Sequence, residues 1–102
     1  LKLPVTQPFV EKNYAYFPVV FDPKVFGESR DSVYDRLLAE GIHARKYFYP
    51  LTSVFECYEG HFDPKDTPVA LKISESVLTL PLYSDLALED VDGICDVILH
   101  RA

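Results

Sequence analysis

The chain has 102 residues with a formal net charge of −6, 48% hydrophobic and 25% charged. That suits one globular domain over 1–102 that buries roughly 65% of its unfolded surface, and it argues against disorder. A nucleic-acid surface would need clustered cations, and Arg45-Lys46 is the one adjacent pair. No apolar run approaches the ~20 residues that span a bilayer, so no membrane partner is expected.

Residues 1–13 carry Pro4 and Pro8 and read as an extended lead-in. Tyr14–Phe21 is aromatic and β-branched, which predicts a strand. Pro18 lacks an N–H and points to an edge position or a bulge there. FDPKVFGES reads as a turn. A helix follows, capped by Ser29 or Asp31. Val33, Tyr34, Leu37 and Leu38 share its inner face, and Gly41 ends it.

Ala44–Ser53, ARKYFYPLTS, enters through Ile42-His43. Tyr47, Phe48 and Tyr49 predict a second strand, ended by Pro50. Residues 51–66 show no clean period and read as a long loop, with at most one short helical turn. Thr67-Pro68 is a strong helix start, and Val69, Ala70 and Ile73 are expected to face inward. Val77–Tyr83 alternates as a third strand. Leu88–Arg101 is the clearest helix, with Val91, Ile94, Cys95, Ile98 and Leu99 as its apolar stripe.

The order is β-α-β-loop-α-β-α. It predicts a two-layer α/β (α+β) domain, a sheet of about three strands with helices on one face. FDPK occurs at 21–24 and 62–65, which reads as reuse of a good turn sequence.

His43, His61 and His100 share no metal-ligand spacing with each other or with Cys57 and Cys95, so no metal is expected. The cysteines read as reduced core thiols, which fits the cytoplasm. No glycine-rich phosphate cradle and no recognisable nucleophile setting occurs, so no catalytic residue is assigned. The strand period places Arg45, Tyr47 and Tyr49 on one face, and Ala44, Lys46 and Phe48 on the other, core side. One guanidinium with two phenols suits an anion or a hydroxylated ring, and these three are the candidate substrate-binding residues. The competing reading packs the tyrosines under the long loop, with Arg45 stacked on a ring.

NYAYFPVVF, LLAEGIHARKYFYPL and SESVLTLPLYSDL followed by EDVDGICDVI occur in consistent order from about Asn13 to Arg101. Together they resemble the C-terminal part of pyridoxal-phosphate-dependent sugar aminotransferases of the DegT/StrS family, with the type I aminotransferase fold. The resemblance implies a larger parent enzyme whose N-terminal large domain holds the cofactor and its lysine. The present chain would then be the C-terminal small domain. The absence of methionine in a chain that starts at Leu1 agrees with a piece of something larger.

The resemblance further implies a homodimer that moves an amino group from glutamate to a nucleotide-linked keto sugar, the dTDP-4-keto-6-deoxy type being favoured. None of Lys2, Lys12, Lys24, Lys46, Lys65 and Lys72 matches the family's Schiff-base context. The isolated chain is therefore expected to be inactive and to bind no pyridoxal phosphate. Many relatives carry histidine directly after YFYPL, where this chain has Thr52. The alternative is a stand-alone α/β binding or dimerisation module without catalysis. A chain cut from its large domain exposes the surface that faced it, so Tyr14–Phe21 or the 51–62 loop is expected to make self-contacts, as exposed apolar patches do.

Overall fold

A computed structural model describes residues 1–101. The elements are β1 (Phe17–Val20), α1 (Pro23–Phe26), α2 (Arg30–Ala39), α3 (Pro68–Ser76), β2 (Val77–Leu80) and α4 (Leu88–Leu99). Helices pack on a small antiparallel sheet of two strands. The mixed α/β character agrees with the sequence reading, but the expected second strand at Tyr47–Tyr49 does not form.

The register explains why. β1 and β2 pair Phe17 with Leu80, Pro18 with Thr79, Val19 with Leu78 and Val20 with Val77. Opposite Pro18, the Thr79 N–H and carbonyl both turn outward and exchange hydrogen bonds with Arg45 (2.7 and 2.9 Å). In an antiparallel ladder the next exchanging positions lie two residues away on each side. On one side Tyr47 would meet Val77. There the Val77 N–H is already given to the Ile73 carbonyl, and the Val77 carbonyl accepts from Arg30 Nη1 (3.1 Å). On the other side His43 would meet Pro81, which has no N–H to give. The would-be strand is thereby reduced to a single bridge at Arg45, and the chain turns at Tyr47-Phe48. Lys2 makes a matching lone bridge to Val20 on the outer side of β1. Pro18 thus sits in an edge strand whose missing N–H would face away from β2, as its chemistry requires.

The core lies between the sheet and helices α2 and α4. Val19 and Leu78, a cross-strand pair, meet Val33 and Leu37 of α2 and Ile94 and Ile98 of α4, with Phe21 among them. Full burial of a side chain such as Leu37 or Phe21 contributes about 1.5–3 kcal/mol.

Ser29 caps α2 by accepting from the Ser32 N–H (3.2 Å). Gly41 follows the helix at φ 75°, a backbone region that an L side chain rarely enters. Both FDPK copies build the same device. Asp22 accepts from the Lys24 N–H (3.0 Å) and Asp63 from the Lys65 N–H (2.9 Å), with proline in the first helical position. The first copy makes α1, a turn of helix where only a turn was expected. The 51–66 loop holds three 3₁₀ turns, Thr52–Val54, Glu56–Tyr58 and Pro64–Asp66.

Three helix faces differ from expectation. In α2, Leu38 is exposed, while Val33 and Leu37 are buried. In α3, Val69 is 75% exposed and Ile73 is exposed too, while Ser74 is buried. The inward face of α3 is the one Arg30 reaches, since Arg30 Nη1 also donates to the Ser74 carbonyl (2.9 Å). In α4 only Ile94 and Ile98 of the stripe are buried, and Val91, Cys95 and Leu99 face outward. Cys57 and Cys95 are free and exposed, not core thiols. Among the described residues no helix is long and apolar enough to cross a membrane.

Candidate functional site

Ala44 is buried in the core and fixes the start of the aromatic stretch. Arg45 follows, its backbone held to Thr79. Its guanidinium carbon lies 5.6 Å from the Tyr47 ring centroid, and Nη1 donates to Tyr47 Oη (2.5 Å). Tyr47 also meets the edge of Tyr16 (centroids 5.9 Å apart) and stacks on Phe48 (5.2 Å).

Lys46 turns the other way, onto α2. Its Nζ lies 2.7 Å from Asp31 and 4.5 Å from the centroid of Tyr34. The Lys46 ammonium, hydrogen-bonded to Asp31, holds that carboxyl below its usual range; burial opposes the shift and Arg30 adds to it. Phe48 is 73% exposed, which corrects its expected place in the core. The strand parity that placed it there ends with the ladder at Arg45. Tyr49 lies beneath Arg30, whose guanidinium carbon is 4.9 Å from its centroid.

Two open cavities flank this stretch. The larger, about 580 Å³, is bounded by Tyr34, Arg45, Tyr47, Tyr49, Thr52 and Phe55, among others. The second, about 360 Å³, lies toward the exit of β2 and is bounded by Tyr16, His43, Arg45, Tyr47, Leu82 and Tyr83, among others. The three candidate residues are therefore divided. Arg45 and Tyr47 are joined and wall both cavities. Tyr49 borders the larger one only, and its partner is Arg30, not Arg45.

Sequence reasoning missed Arg30, which holds Tyr49, and the Tyr16–His43–Tyr83 side of the second cavity. In the sequence His43 entered only as a histidine without metal-ligand spacing. Only its position two residues before Arg45, on the incoming extended segment, signals that it borders the same cavity.

No carboxylate borders either cavity, although the chain carries 16 acidic residues. Arg45 is thus the cation that the two cavities share, with aromatic rings and hydroxyls on either side of it, and a guanidinium so placed can pair with an anion. Lys46 is the one lysine on their walls, and its amine is committed to Asp31 and Tyr34. Among the described residues no group of His, Cys, Asp or Glu is placed to hold a metal ion.

Comparison with known proteins gives a consistent set of relatives. Over 91 residues, 87% of this chain, it is 40% identical to a dTDP-4-amino-4,6-dideoxy-D-glucose transaminase of Escherichia coli. A protein of the same description from Shigella dysenteriae is 33% identical over 86 residues, 84% of the chain. The chain spans about a quarter of the length of these curated relatives, 24% and 23%. A crystal structure of DesI in the presence of its TDP-sugar product superposes with a TM-score of 0.76 at 31% identity. That match covers 83% of this chain and 21% of DesI. The sequence pattern of one family matches residues 2–99, nearly the whole chain. With the fold and the relatives in agreement, the chain belongs to the DegT/DnrJ/EryC1/StrS aminotransferase family.

Proposed function

We propose that this chain is the C-terminal small domain of an aminotransferase that moves an amino group from glutamate to a dTDP-linked 4-keto-6-deoxy sugar. Arg45, Tyr47 and Tyr49 are its share of the substrate wall. The observation that carries the binding role is the carboxylate-free lining around Arg45 in an otherwise acidic chain. The relatives' descriptions, which name dTDP-amino sugars, support the substrate class. Pyridoxal phosphate, the electron sink for such transfers, is held by a large domain outside this chain. The working enzyme is a cytoplasmic homodimer with its sites near the subunit boundary.

The test is turnover by the full-length gene product on a panel of nucleotide keto sugars with glutamate. Amination of a dTDP-4-keto-6-deoxy sugar is expected, with none by the 102-residue chain alone. Failure to aminate any member of the panel would overturn the reading.

A further inference from the structure

Past Arg45 the aromatic segment leaves the sheet. Residues 46–50 make no backbone hydrogen bond to another element among the described residues. Two side chains tie the segment down instead, and both end on the first turn of α2. Lys46 Nζ lies 2.7 Å from Asp31 Oδ1. The ring of Tyr34, one turn further along α2, has its centroid 4.5 Å from the same ammonium. Tyr49 lies under the guanidinium of Arg30, at 4.9 Å. The same Asp31 oxygen accepts from Arg30 Nε (2.7 Å), and Arg30 is fixed at its far end by the Ser74 and Val77 carbonyls. Lys46, Asp31, Arg30 and Tyr49 therefore form one chain of contacts, anchored at the junction of α3 and β2. Tyr47 and Phe48 span the gap between its two ends. Unfolding stability does not explain the arrangement, because Asp31 is 60% exposed and exposed ion pairs add little to stability. Position matters more, since a displacement of about 1 Å in a group that orients substrate can cost about a hundredfold in rate.

We infer that Asp31 is a positioning residue for the substrate wall. It lines neither cavity itself. It acts through Lys46 and Arg30, which set the two feet of the Tyr47–Phe48 span. The span can adjust between its feet but not leave them, and that limits where the Tyr47 hydroxyl and its partner Arg45 Nη1 can stand. This rests on the reading of Arg45, Tyr47 and Tyr49 as substrate contacts and adds what holds them in place.

The experiment is steady-state kinetics of the full-length holoenzyme on the nucleotide keto sugar that it aminates, with Asp31→Asn, Asp31→Glu, Lys46→Met and the Asp31→Asn, Lys46→Met double variant. Asp31→Asn and Lys46→Met are each expected to raise KM for the sugar about fivefold or more, with little change in Tm. The double variant should lose no more than the larger single loss, since both changes remove one contact. Asp31→Glu keeps the charge and should recover part of the loss. Glu28→Gln breaks the other ion pair at the start of α2, with Arg36, and should leave KM at its native value. The half-reaction with glutamate alone should run at the native rate in every variant. Lys46→Met, at the cavity end of the contact, decides the matter if Asp31→Asn does not fold. A native KM in both single variants would overturn the inference and leave the substrate reading standing. So would a KM rise in Glu28→Gln equal to that in Asp31→Asn, or an equal slowing of the glutamate half-reaction, because either would trace the effect to general loosening of the domain. A native enzyme that aminates no keto sugar would overturn the substrate reading, and the inference with it.

Discussion

Arg30, the first residue of α2, donates from Nη1 to the carbonyl of Val77, the first residue of β2, across 3.1 Å and 47 positions of sequence. The same nitrogen also reaches the Ser74 carbonyl, and the side chain is 2% exposed. One cation thus joins the start of a helix, the end of another and the head of a strand. It also lies over Tyr49.

Removing it leaves two inward carbonyls without a donor. Hydrogen bonds from a charged group are worth about 1.5–3 kcal/mol each, and they are not additive. Arg30→Ala is expected to lower unfolding stability by about 3 kcal/mol. Arg30→Lys should recover part of that, since an ammonium lacks the planar fork. Urea unfolding monitored by circular dichroism reads both. A midpoint for Arg30→Ala that implies a loss of less than about 0.5 kcal/mol would rule out this role.

A second clasp predicts a pH dependence. Glu28 accepts from Arg36 Nη1 (2.5 Å) and from Ser32 Oγ (3.0 Å), and it meets His100 Nε2 at the end of α4. Arg36 also donates to the Val97 and Ile98 carbonyls (3.0 and 3.2 Å), so it serves the negative end of α4. Hydrogen bonds from Arg36 first, and then His100, lower the Glu28 carboxyl from 4.5 to about 2. The folded value lies below the unfolded one. The ionised carboxylate therefore stabilises the fold above about pH 4.5, and that contribution is lost as pH falls toward 2. Asp31 shifts in the same direction. Glu28→Gln should flatten the stability profile across this window, measured by thermal unfolding at several pH values. An unchanged slope would show that Glu28 titrates alike in both states.

At the site, Arg45 and Tyr47 should separate kinetically in the full-length enzyme. Arg45→Ala removes the charge beside both cavities and is expected to raise KM for the nucleotide sugar roughly ten- to hundredfold. Tyr47→Phe keeps the ring and releases Nη1, so about threefold or less is expected. If Arg45→Ala leaves KM unchanged, the guanidinium does not hold substrate.

The exposed aromatics predict self-association. Tyr14 and Tyr16 stand out on the lead-in to β1, and Phe55, Tyr58 and Phe62 on the long loop. Sedimentation of the 102-residue chain should show concentration-dependent dimers or larger species. Tyr14→Ser with Phe62→Ser should shift the distribution to monomer. A native chain that stays monomeric at high concentration would remove the case for contacts at these segments.

The sequence made some of these elements plain and hid others. α2 and α4 were legible because their apolar residues recur at helical spacing and their ends carry capping signals such as Ser29 and Gly41. β1 was legible from its aromatic and β-branched composition, and β2 from the alternation of its residues. The strand at Tyr47–Tyr49 was misread because aromatic composition reports fit to a sheet, not whether a sheet edge has hydrogen bonds left to give. At Val77 they had gone to Ile73 and to Arg30, whose partners lie more than 40 positions away. No local pattern announces that. The candidate site was half legible for the same reason. Parity from Arg45 reached Tyr47, which keeps company with it, but not Tyr49 and Phe48 beyond the turn. Val69 and Ile73 of α3 carry apolar side chains that this chain does not cover, so helical period alone assigned their faces wrongly.

The lone rung between Arg45 and Thr79 ties the two ends of the proposed site to different clocks. Amide hydrogens in a paired strand exchange with solvent only when that strand opens, whereas unpaired ones exchange with local fluctuation. The Arg45 and Thr79 amides should therefore be protected together, on the timescale of the sheet, while those at Tyr47 and Phe48 exchange freely. The guanidinium swings from a fixed pivot, and the aromatic tip beyond it is free to adjust. Ligand closure would register as new protection in that tip, with the pivot unchanged.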